Sequence, residues 1–197
     1  MIPRVSSLQG SDDGVQEFAR YEFKYFLDKQ TRDSLEADIS TFMKYDGYVH
    51  PEIDNAYFVR SMYFDNSIAK NYYEKIDGIR LRRKFRIRTY TKTRDEKVPL
   101  FLEQKGRYID RTFKTRVPID YDILQSFENN NNRFSLLEAL PNVPLIEEFV
   151  FESARLHIKP SVLVDYVRRP YISHYDLNFR VTFDSQIRAA AASTFFP

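Results

Sequence analysis

Six cations and no acid fall within residues 79–90, IRLRRKFRIRTY. Arg80, Arg82, Lys84, Arg86 and Arg88 share one parity, while Ile79, Leu81, Phe85, Ile87 and Thr89 share the other, with Arg83 as the exception. Side chains alternate between faces along a strand, so this spacing predicts a strand with one apolar and one cationic face. Cations aligned in this way repel one another unless an anion or facing carboxylates compensate them. Arginine forks onto phosphate oxygens and lysine presents a point charge to them, so the chemistry such a face suits is the holding of phosphate. Arg80, Arg82 and Lys84 fit equally well at the mouth of a binding site or in solvent, as charges that protect a sheet edge.

The elements needed to position these charges repeat the pattern. Residues 98–119 read as two antiparallel strands turning between Gly106 and Asp110, with Glu103, Lys105 and Arg107 on one parity of the first and Lys114 and Arg116 on the second. Beyond Pro160, Tyr166 and Arg168 share the parity of Val162 and Val164, and Arg180, Thr182 and Asp184 stand opposite Val181 and Phe183. Near the start, Arg20, Glu22 and Lys24 alternate with Tyr21, Phe23 and Tyr25, which predicts a first strand over residues 20–27. Leu35, Ile39, Phe42 and Met43 predict an amphipathic helix from the N-cap Asp28 to about Asp46-Gly47. Further expectations are a strand over 57–65, a short helix ending near Gly78, another over 120–127, and two helical pieces within 134–155. An open sheet would spend its charged faces on water, whereas a curved one gathers them into a lumen. The expected fold is therefore α+β, an antiparallel β-barrel with flanking short helices, and what a cationic lumen admits is a polyanion.

Composition narrows the function further. Thirty basic and 28 acidic residues in 197 nearly cancel, which argues against a general coat for nucleic acid. The length suits one domain, read here as a flexible lead-in over 1–17, a tunnel domain over 18–188 and a tail over 189–197. The chain has no cysteine and no apolar run near the ~18 residues of a membrane span, so it reads as soluble and cytoplasmic. No GxxxxGK pattern occurs among its five glycines, which excludes a P-loop. His50, His157 and His174 lack ligand spacing and read as structural or surface residues.

Several stretches in order, RYEFKYFL, RSMYFDN, YYEKIDGIRLRRKFRIRTY, FLEQKGRYIDRTFKTR, VLVDYVRRPYI and FRVTFDSQI, resemble the catalytic domain of the VTC (vacuolar transporter chaperone) family. The resemblance extends to the bacterial polyphosphate polymerase domain proteins, within the triphosphate tunnel metalloenzymes, and runs from Arg20 to Arg188. It implies a polymerase that passes the γ-phosphoryl of ATP to a growing polyphosphate chain. Lys24, Arg86, Arg88 and Lys105 would be its catalytic cations, and Lys114, Tyr166, Arg168, Arg180, Arg107 and Arg116 its substrate ligands. A manganese or magnesium ion is implied as cofactor. The family's glutamate on a further strand has no counterpart here, so Glu22 and Glu103 stand in by parity, with ion pairing as their other role, and the barrel is expected to close incompletely at its C-terminal end. ATP and inorganic polyphosphate are the implied partners, with no specific nucleic acid; a membrane-protein partner is not visible in the sequence. Two other functions suit the same residues, a non-catalytic polyphosphate- or RNA-binding module and a triphosphate hydrolase. Arg20 stands where the related hydrolases carry the first carboxylate of ExExK, which tilts the reading away from two-metal hydrolysis.

Overall fold

The computed structural model describes residues 18–197, and side chains from residue 21 onward. The lead-in over 1–17 lies outside the described residues. Eight strands form one antiparallel sheet: β1 (Phe18–Arg20), β2 (Met43–Tyr45), β3 (Tyr57–Asp65), β4 (Leu81–Thr89), β5 (Leu100–Tyr108), β6 (Arg111–Ile119), β7 (Lys159–Ser173) and β8 (Arg180–Ala191). They lie in the order β1-β6-β5-β4-β3-β7, with β2 continuing beyond β3 on the same edge of β7 and β8 on its other edge. The sheet curls into an open half-barrel, as the sequence led one to expect. Among the described residues no pairing joins β1 to β8.

The apolar parity of the central strands faces outward, where helices cover it. Met62, Phe64, Phe85, Ile87, Leu100, Leu102, Val117 and Ile119 pack against α3 (Leu124–Glu128), α4 (Ser135–Ala139) and α5 (Pro144–Leu156). Phe149 of α5 is fully buried and meets the rings of Phe64, Phe85 and Phe127 at centroid distances of 5.0, 5.4 and 5.2 Å. Each such side chain withdrawn from water contributes about 1.5–3 kcal/mol, so this convex side holds the sheet's shape. Phe195 is buried in the same cluster, and its N–H donates to Glu128 Oε1 at 2.6 Å. Strand β8 runs to Ala191, so residues 189–197 divide between strand and core.

Strands β3 to β8, helix α5 and the short helix α2 (Lys70–Ile76), stopped at Gly78 with φ +65°, fall close to where the residue pattern puts them. Two expectations need correction. The first strand does not span 20–27: it ends at Arg20, opposite Thr112, because β6 begins at Arg111 and only that one residue remains beyond Thr112. Residues 21–28 then run outside any strand or helix from that edge toward α1 (Lys29–Ile39), which packs on β7 and β8 at the sheet's other end. Helix α1 begins as expected, with Asp28 Oδ1 accepting from the Thr31 N–H at 2.7 Å, but stops at Ile39 instead of near Asp46. Met43 belongs to β2, opposite Ser173, and is buried beside Ile39, Tyr171 and Phe183. The helical spacing of Ile39 and Met43 thus arises from two elements that share one apolar cluster. No helix among the described residues is long and apolar enough to cross a membrane.

Candidate functional site

The concave side carries the other parity of the same strands. Pairing sets Lys84, Lys105 and Lys114 side by side across β4, β5 and β6, and sets Arg86, Glu103 and Arg116 side by side in the next row. Like charges directly opposite one another on a sheet are destabilising. Glu103 answers the second row: it is fully buried, Arg86 Nε donates to its Oε2 at 2.7 Å, and Lys114 Nζ lies 2.7 Å from its Oε1. Arg88 Nη1 stands 3.9 Å from the same carboxylate. Burial alone would raise the Glu103 carboxyl, but Arg86, Arg88 and Lys114 outweigh it and hold the pKa down to about 2.

The lysine row is less well compensated. Burial pushes the Lys114 ammonium down to about 8 in spite of Glu103. Burial likewise lowers Lys105, opposed by Glu22, which pairs with it directly, and lowers Lys84, opposed by Asp65. The half-buried Lys84, which the sequence leaves between mouth and solvent, therefore stands inside the cationic face. Arg83, the parity exception, points to the convex side and pairs with Glu148 of α5 at 2.6 Å.

Toward β7 the face continues through Ser61, Tyr166 and Arg168. Arg88 Nε donates to Ser61 Oγ at 3.0 Å and its Nη2 to Tyr166 Oη at 3.1 Å. Arg168 forks onto Asp184 with both bonds at 2.7 Å and lies over the Tyr166 ring at 5.2 Å. Burial opposes the charge on Arg168, yet Asp184 and Tyr166 hold it above the ordinary arginine range. The structure thus brings together Arg86, Arg88, Lys105, Lys114, Arg116, Tyr166, Arg168 and Glu103. Of the three other expected ligands, Lys24 reaches the lysine row only through Glu22, which also pairs with Lys105, and Arg107 and Arg180 lie apart. Lys24 is exposed on the segment that follows β1, 3.7 Å from Glu22. Arg107 donates to the Ile109 carbonyl of its own turn at 2.8 Å. Arg180 is exposed opposite Ile172, four residues along β8 from the Asp184 that faces Arg168.

Reading the sequence missed Tyr63 and Ser61. Tyr63 Oη accepts from Arg86 Nη1 at 2.9 Å; burial would raise this phenol, but Arg86 and Arg88 bring it below its usual value. The signal was present in YFVRSMYFD, where Tyr57, Ser61 and Tyr63 share one parity, although a tyrosine and a serine in a strand do not by themselves announce a polar site.

The metal expectation meets a specific difficulty. Hard divalent cations take several oxygen ligands, yet among the described residues no three His, Asp or Glu converge. Both oxygens of Glu103 already face cations, and Glu22 sits between Lys24 and Lys105. These donors do not fit a metal held by the protein alone.

The model of the VTC domain family matches residues 19–194 of this chain. No curated protein matches it. Among solved structures, the chain is similar to a protein of Bacillus halodurans described as a "putative adenylate cyclase", with a TM-score of 0.41, 11% identity, and coverage of 88% of this chain and 82% of that one.

Proposed function

Because this chain belongs to the VTC domain family, we propose that its concave face binds the phosphate chains of ATP and of inorganic polyphosphate and passes the γ-phosphoryl group of one to the end of the other. The observation that carries this reading is the row Lys84–Lys105–Lys114 beside the row Arg86–Glu103–Arg116. A sheet sets facing lysines on neighbouring strands against their mutual repulsion only where something else supplies negative charge. Glu103 and Glu22 supply part of it, and a phosphate chain supplies the rest.

Phosphoryl transfer asks little covalent chemistry of a protein; positioning and charge neutralisation provide most of the acceleration. Arg86 and Arg88 are suited to this because their guanidinium groups are already oriented, by Tyr63 and Glu103 for one and by Ser61 and Tyr166 for the other. Little reorganisation is then needed when phosphate arrives. Arg168, fixed by Asp184, extends the cationic line toward β8. Lys105 and Lys114, whose pKa values burial has lowered, gain most from an anion, since it restores the charged form that burial disfavours.

The test is incubation with ATP and Mn²⁺, with the products run on a gel stained for polyphosphate beside an assay for released phosphate. Chains that lengthen with time, and that Arg88→Ala abolishes, are the expected result. Phosphate released without chains would make the protein a hydrolase. Neither product, with tripolyphosphate still raising the melting temperature, would make it a binding module.

A further inference from the structure

Three aromatic rings stand together at one end of the concave face. Tyr57 opens β3, Tyr90 follows β4 and Phe101 lies near the start of β5, with Phe101 paired to Arg88 and Tyr57 to Arg168. Their ring centroids are 5.6 Å apart for Tyr57 and Tyr90 and 6.4 Å for Tyr90 and Phe101, both edge-on. All three are half-buried, and none belongs to either apolar core cluster. Arg116 lies 4.6 Å from the Phe101 ring centre, so the cluster is continuous with the cationic rows. The order along β4 is Lys84, Arg86, Arg88, then Tyr90, and along β5 it is Lys105, Glu103, then Phe101. Rings therefore occupy one end of the trough and lysines the other, six residues or roughly 20 Å apart at the strand rise.

A phosphate chain alone has no use for flat apolar surface. Aromatic faces outside a core, beside arginines and adjoining a run of phosphate ligands, suit a planar base that carries phosphates. Tyr57 also stays protonated at neutral pH, since burial pushes its phenol up to about 12. It therefore adds a hydroxyl donor to this end and no negative charge.

We propose that the Tyr57–Tyr90–Phe101 end of the trough is a nucleobase subsite, so that a nucleoside triphosphate lies with its base against these rings and its phosphates directed over Arg88 and Arg86 toward the lysine row. The inference rests on the phosphate-binding reading above and adds a direction to it. The experiment compares ATP with inorganic tripolyphosphate, which carries the same phosphates without a base, by calorimetric titration of wild type, Tyr90→Leu and Tyr90→Phe, with thermal unfolding to confirm that each variant folds.

Wild type is expected to bind ATP more tightly than tripolyphosphate. Tyr90→Leu is expected to weaken ATP roughly tenfold with tripolyphosphate unchanged, and Tyr90→Phe to retain the preference. Equal affinity of wild type for the two ligands, or ATP binding untouched in Tyr90→Leu, would overturn the subsite and leave the phosphate trough standing. An equal loss for both ligands in Tyr90→Leu would also overturn it, since the ring would then only support Arg88 and its neighbours. Failure of wild type to bind either ligand would remove the trough reading itself.

Discussion

Arg86 on the concave face and Arg133 beneath the convex one are comparably buried, at 6% and 3% exposure, but they are held in opposite ways. Arg133 has no carboxylate partner among the described residues. The carbonyls of Ile158 and Phe127 accept from it, the rings of Phe64 and Phe149 lie 5.6 and 5.2 Å from its guanidinium, and burial pushes its pKa down to about 10. Arg86 has Glu103 and Tyr63, which together hold its charge more firmly than water does. A cation among rings and carbonyls, even with its Nε left without a hydrogen-bond partner among the described residues, is packing material closed in by apolar surface. A cation in a network with three cations around one carboxylate still has capacity for another anion, and that distinguishes the binding face from the structural one.

The contrast is broken most severely by exchanging the two kinds of damage. Phe149→Ala, which empties the convex core, is expected to cost about 3–5 kcal/mol of stability, with tripolyphosphate affinity unchanged in whatever fraction stays folded. Arg86→Ala is expected to lower tripolyphosphate affinity at least a hundredfold, and also to lower the melting temperature, because Glu103 then keeps only Lys114 and Arg88. Denaturant titration beside calorimetry separates the two outcomes. Unaltered phosphate binding in Arg86→Ala would mean that the face is only an internal ion-pair network.

Glu103→Gln probes the network from its anion. Removing this buried carboxylate leaves Arg86 and Lys114 uncompensated, so the unliganded protein should melt at lower temperature and tripolyphosphate should raise that temperature further than it does in wild type. Affinity measured with chelator present should rise several-fold. A fall in affinity instead would make the carboxylate a partner of a cation carried in with the ligand.

A smaller effect follows from Lys114, whose folded pKa of about 8 lies below the ordinary lysine value of 10.5. Below pH 8 the group is charged in both folded and unfolded states, and the full cost of burying it is present. As pH rises from about 8 toward 10.5 the folded state holds it neutral, and that cost recedes. A bound anion favours the charged form, so binding takes up a proton near pH 8 and affinity falls as pH rises through that value, by no more than tenfold per unit. Titration in buffers of different ionisation enthalpy measures the proton, and Lys114→Arg should flatten the profile because a guanidinium stays charged. Arg107→Ala should do least: its side chain caps its own turn, and both affinity and stability are expected within about 0.5 kcal/mol of wild type.

Much of this architecture is legible in the residue pattern because period-two alternation is strong wherever a strand has a buried apolar face. Residues 57–65, 81–89 and 100–119 show it. The β5–β6 hairpin is readable too, but its register is not: a turn read between Gly106 and Asp110 leaves several offsets open, and only the two-residue turn at Ile109-Asp110 sets Lys105 opposite Lys114. The pairing of Arg86 with Glu103 is not readable, because residues 90–99 between β4 and β5 allow many offsets. Neither is the early end of β1, whose alternation continues through Tyr25 although its partner strand has run out. Alternation reports which residues could share a face; whether a neighbouring strand is present to receive them depends on lengths elsewhere in the chain.

Gly106 shows how far that dependence reaches. A Cβ at this position would lie 1.9 Å from Cζ of Phe113, its cross-strand partner, whose ring occupies the space a side chain would need. The ring and the missing side chain act as a key and its slot on the convex side of the β5–β6 hairpin. Any larger residue at 106 must evict the ring or shift the strands, and a shift of one residue turns every side chain of a strand to the opposite face. Glu103 and Lys105 would then leave the trough together. The alignment of the charges on one surface is thus enforced by an apolar fit on the other, at a residue that carries no charge itself.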